Sequence, residues 1–83
     1  MRPQGEIEID VKNMLDQIPE IQGITHIYCH YLNQKLTVQV NILLDAEMRI
    51  RDAQKIASAA RRKIEKIKDI DSADLHLELE DDL

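Results

Sequence analysis

Leu36-Thr37-Val38-Gln39-Val40-Asn41-Ile42-Leu43-Leu44 puts an apolar side chain at every even position, with Thr37, Gln39 and Asn41 between. Successive side chains of a β-strand leave opposite faces, so this stretch reads as a strand with one face in a core and the other polar. Immediately upstream, Ile27, Cys29 and Tyr31 alternate with His26, Tyr28 and His30, a second strand. Between the two lies Leu32-Asn33-Gln34-Lys35, a tight turn in which Asn tolerates positive φ. So short a connection predicts an antiparallel hairpin.

Beyond a connector at Asp45 to about Met48, the period lengthens. Ile50, Ala53, Ile56, Ala57, Ala60, Ile64 and Ile67 trace one face of a long helix, with Lys66 and Lys68 near its C-terminus, where the helix dipole favours cations. Asp69, Asp71 and Ser72 make an exit turn, and Ala73, Leu75, Leu77 and Leu79 alternate with Asp74, His76, Glu78 and Glu80 as a third strand. Ahead of the hairpin, Ile7, Val11, Met14 or Leu15, and Ile18 recur at helical steps until Pro19, and Gly23 marks the following turn. The predicted fold is α+β: a ferredoxin-like αββαβ layer, two helices on one face of a three-stranded mixed sheet. Its first strand is expected at the centre, with the third parallel to it through a right-handed crossover. Residues 1–5 are expected to be a disordered lead-in, 6–80 the folded domain, and 81–83 a frayed acidic tail.

Eighty-three residues allow one small domain, a size at which oligomerisation commonly supplements the core. Tyr28 and Tyr31 are the sole aromatics, and the net charge is −5. Neither stacking platforms nor a basic balance is available for nucleic acid. Cys29 is the single cysteine, so no internal disulfide can form. No apolar run reaches the ~20 residues of a membrane span. Ser58 and Ser72 are not set beside a base, and Gly5 and Gly23 cannot make a phosphate loop, so no enzyme is expected. The basic stretch from Arg49 to Lys68 reads as a solvated helix face, or as a contact for an acidic partner or anionic headgroups.

The stretch from Ile18 to Glu78 resembles the cytosolic domain of cation diffusion facilitators, the cation efflux family. Four blocks carry the likeness: Pro19-Glu20-Ile21-Gln22-Gly23-Ile24-Thr25-His26-Ile27; Leu32-Asn33-Gln34-Lys35-Leu36-Thr37-Val38; Ile50-Arg51-Asp52-Ala53-Gln54-Lys55-Ile56-Ala57; and Leu75-His76-Leu77-Glu78. They align without gaps over about sixty residues. The resemblance implies a homodimeric domain on the cytoplasmic side of a membrane, attached to the membrane domain of the same divalent-cation transporter. It further implies regulation by a divalent cation at the dimer interface, zinc by default, with manganese, cobalt or iron open. Thr25, Asn41 and Gln54 stand where the family places ligands, whereas His76 and Glu78 match them.

His76 and Glu78 leave one strand face roughly 7 Å apart, a spacing that lets two donors reach one ion. His26 and His30 share that sheet face but sit roughly 13 Å apart along their strand. One of them is expected to join His76 across the ~4.8 Å gap to the neighbouring strand. The candidate metal site is therefore His76, Glu78 and His26 or His30, completed by water or a second subunit. The competing readings are a dimerisation domain that binds no metal, with ordinary surface histidines, and a small ferredoxin-like ligand-binding module.

Overall fold

The computed structural model describes residues 3–79, of Leu79 the backbone alone; Met1, Arg2 and the acidic tail expected at 81–83 lie outside the described residues. The chain runs α1 (Gln4–Leu15), β1 (Gly23–Leu32), β2 (Lys35–Leu44), α2 (Ile50–Glu65) and β3 (Ser72–Leu79). The three strands form one sheet in the order β1-β2-β3, with β1 antiparallel and β3 parallel to β2. This is the predicted ferredoxin-like αββαβ layer.

The sheet order corrects the expected centre, which is β2 and not the first strand. The reason lies in the burial of the two hairpin arms. Leu36, Val38, Val40, Ile42 and Leu44 are all buried, as only a strand flanked on both sides can be. The inward residues of β1, Ile27, Cys29 and Tyr31, are half-buried and pack on the rim of the core. With β1 at an edge, β2 crosses through α2 directly onto its free side, the shortest crossover between parallel strands.

The core is aliphatic: Ile7, Val11, Leu15 and Ile18 from the first helical segment, the even positions of β2, Ala53, Ala60 and Ile64 from α2, with Ile70 and Ala73. α1 opens at Gln4 after Pro3, two residues before the expected start, because the proline supplies an extended N-cap and its carbonyl accepts from Glu6 and Ile7. Its last regular residue is Leu15; Ile18 reaches the core from a tightened turn in which its amide donates to Leu15. Alanines at 53 and 60 bring α2 close to the sheet. Ile50, expected on the buried face, is 77 % exposed; it is the first residue of α2 and lies about 60° around the helix from the buried Ala53. Ile67 packs from the turn after Glu65 and not from within the helix. Leu77 is 37 % exposed because β3 is an edge strand.

Two devices fix the register. Asn33 (φ 52°) and Gln34 (φ 67°) form the hairpin turn, both in the left-handed region that such two-residue loops require. At the start of β3, the Leu36 amide donates to Asp71 Oδ2 at 2.6 Å while the Asp71 amide donates to the Leu36 carbonyl at 2.9 Å. The hydroxyls of Thr37 and Ser72, 3.0 Å apart, extend this clamp by one residue.

Candidate functional site

Among the described residues no helix covers the second face of the sheet. It carries His26, Tyr28 and His30 from β1, Thr37, Gln39 and Asn41 from β2, and Asp74, His76 and Glu78 from β3. The strand pattern predicted this face, and its side chains point as the alternation requires. The rings of His26 and Tyr28 stack with centroids 5.7 Å apart and planes 5° from parallel. Tyr28 and His30 continue the ladder at 6.4 Å. Cys29 points the other way, toward the core; burial, reinforced by the Glu8 carboxylate, pushes its thiol pKa up.

The strand order separates residues that the sequence reading placed side by side. His26 and His76 both pair with Asn41, one from each side of β2. Their backbones are thus two strand spacings apart, about 10 Å, and not one. The expected adjacency of His26 or His30 to His76 across a single strand gap does not hold, because β2 intervenes. His30 lies farther off, opposite Thr37. Among the described residues no group of three or more His, Cys, Asp or Glu side chains is arranged to hold a metal ion.

What the fold does bring together is Thr25, Asn41 and Glu78. Thr25 Oγ1 donates to Glu78 Oε2 at 2.8 Å, and Asn41 Nδ2 donates to Glu78 Oε1 at 3.4 Å. The Glu78 carboxylate thus reaches over β2 and is held from two strands. Asn41 Oδ1 has no donor among the described residues. His76 is engaged separately, its Nε2 lying 3.5 Å from Asp74 Oδ2.

A register shift between Ile24 and His26 makes the triad possible. Ile24 pairs with Ile42 and His26 with Asn41, so Thr25 is an extra residue, a β-bulge. The bulge lets Thr25 and His26, adjacent in sequence, both address the open face. Its signal is legible in retrospect. Ile24 and Ile27 both pack on the core although three apart, a spacing no regular strand permits. Likewise, Asp74 and His76 are two apart on one strand, which puts them on a common face.

Fold and face together define a class: a ferredoxin-like α+β module with a polar, uncovered sheet. The chain matches, over residues 3–82, the family model named ZT_dimer and described as "Cation efflux protein, cytoplasmic domain". No curated protein sequence matches it. Solved structures do match, among them variants of the MamM CTD. One, with a histidine replaced by alanine, superposes at a TM-score of 0.86 with 20 % identity, covering 95 % of this chain and 100 % of that one. The copper form of a variant with aspartate replaced by histidine gives the same 0.86, 20 %, 95 % and 100 %. A third, with cysteine replaced by serine, gives 0.84 at 20 % identity over 94 % of this chain and 98 % of the other. At these identities the likeness establishes the fold. The family match establishes the rest: the chain belongs to the cytoplasmic domains of cation efflux proteins. That family consists of transporter domains and not of enzymes. Among the described residues no helix is long and apolar enough to cross a membrane.

Proposed function

We propose that the domain pairs with a second copy through its open sheet face and that this pairing regulates the transporter to which it belongs. The observation that carries the reading is the uncovered face itself. It presents a stacked His26-Tyr28-His30 ladder and a polar row through Asn41, beside Tyr28, which is 45 % exposed. Aromatic side chains with a polar tip are favoured at interfaces between proteins. The name of the matching family model, which marks a dimer domain, supports the same arrangement.

Metal sensing at this face rests on His76 and Glu78 with His26 or His30 supplied by the second copy. With β2 between His26 and His76 in one chain, a facing sheet offers a second route by which the donors meet at one ion. Divalent cations are the cargo class of cation efflux proteins, and a related CTD variant is described in a copper form. Zinc is the first cation to test. The hydrogen bonds from Thr25 and Asn41 to Glu78 favour a second reading, a dimer closed without metal, since they occupy the carboxylate that a cation would need.

Sedimentation at micromolar concentration, with chelator and then with zinc, tests both. A dimer in either condition supports pairing; a monomer in both defeats it. A change of shape by X-ray scattering on adding zinc supports sensing. In that case His76→Ala with Glu78→Ala should weaken zinc binding more than His30→Ala does, and equal losses would refute the placement of the site. An unchanged dimer in both conditions leaves the metal-free reading standing.

A further inference from the structure

Residues 49–68 carry eight basic side chains against two acidic ones, whereas the rest of the chain carries three against fourteen. α2 sorts these cations. At about 100° per residue, Arg51, Lys55, Arg62 and Lys66 fall within about 45° of the direction opposite the buried Ala53, Ala60 and Ile64. All four are exposed. Neither acidic residue of the segment interrupts the stripe. Asp52 lies to one side, and the Glu65 carboxylate turns inward to accept from the Ala73 amide at 3.2 Å. Among the described residues no carboxylate pairs with any of the four cations.

Midway along the stripe the side chains are small. Ser58 and Ala59 sit between Lys55 and Arg62, whose backbones are about 10 Å apart along the axis. The result is an open depression of about 440 Å³ lined by Arg51, Gln54, Lys55, Ser58, Ala59 and Arg62. It is a notch walled by cations, with a hydroxyl and an amide as further hydrogen-bonding groups.

We propose that this face of α2 docks on an anionic membrane surface, with the phosphate of an acidic lipid headgroup seated in the notch. The cytoplasmic domain of an efflux protein works beside a bilayer, and the cytoplasmic leaflet is negatively charged. Charge complementarity selects the face. The domain measures 40 × 23 × 22 Å, so Glu78 on the open sheet face stands about two Debye lengths from a surface touching α2 at ~0.1 M salt. It is screened, while the stripe at contact is not. α2 covers the side of the sheet opposite the open face.

The test is flotation of the 83-residue chain with vesicles of phosphatidylcholine alone and with roughly 30 % phosphatidylserine. The expected result is binding to the anionic vesicles only, lost between about 50 and about 300 mM salt. Lys55→Gln with Arg62→Gln should lower the partition coefficient about 25-fold, given roughly fivefold per basic residue at such a surface. The charge-matched Lys12→Gln with Lys35→Gln, away from the stripe, should change it less than about threefold. Ser58→Glu, which puts a carboxylate into the notch without removing a cation, should also weaken binding. Circular dichroism checks that each variant is folded. No binding to anionic vesicles at low salt overturns the proposal, as does an equal loss in the two charge-matched doubles. Binding to a poly-glutamate peptide but not to vesicles also overturns it, in favour of an acidic protein segment.

Discussion

The clamp between Leu36 and Asp71 decides where β3 starts against β2, and so sets every residue of the open face, including His76 opposite Asn41. Asp71→Ala removes the carboxylate from a buried amide while leaving the reciprocal bond from the Asp71 amide. A hydrogen bond to a charged group is worth about 1.5–3 kcal/mol. Asp71 itself is exposed, so water competes for its carboxylate, and the low end, about 1.5 kcal/mol, is the expected loss. A domain of this length has a total stability of about 4–12 kcal/mol. The substitution therefore takes a sizeable share, equivalent to a fall in Tm of about 6–12 °C. Asp71→Asn retains an acceptor of neutral type and should lose about half as much. Urea denaturation should show a lower midpoint with an unchanged slope, and hydrogen exchange should show the Leu36 amide losing protection. A parent-like midpoint in Asp71→Ala together with full protection at Leu36 would refute the clamp.

Gln34 holds φ of 67° beside Asn33 at 52°, a conformation glycine adopts without strain. Gln34→Gly should therefore stabilise the hairpin by about 0.5–1 kcal/mol, and a fall in Tm would contradict the turn assignment. The Cys29 thiol is pushed above its ordinary pKa in the folded state by burial and by Glu8. Its contribution is complete below the unfolded-state pKa, and it is lost as pH rises through the higher folded value. Stability should decline from about pH 8.5 upward, and Cys29→Ala should flatten that decline; an identical slope in the variant would discount the thiol.

Much of this molecule is written in its hydrophobic periods. The run from Leu36 to Leu44 specified a strand with one buried face, and the burial of all five even positions matches it. The Asn33-Gln34 turn, the α2 stripe and the outward direction of His26, His30 and His76 were equally legible, because each follows from spacing along one segment. Four blocks of sequence sufficed to suggest the cation efflux family, to which the chain belongs. Ile50 shows the limit of such patterns: periodicity assigns an angle around a helix, but not whether a neighbour covers that angle at the helix end.

Relations between strands were a different matter. Alternation tells which face a side chain leaves, and it carries no term for which strand lies beside which. The position of β2 between β1 and β3 was settled by the competition for full burial, which the more apolar hairpin arm won. That outcome parted His26 from His76. With one bulged residue, it also gathered Thr25, Asn41 and Glu78, three side chains far apart in the chain, around a single carboxylate. Sequence determined the elements and their faces because local sterics and solvent act on each segment alone; the site's membership belonged to tertiary packing, since hydrogen bonds between strands depend on order and register, which no single segment contains.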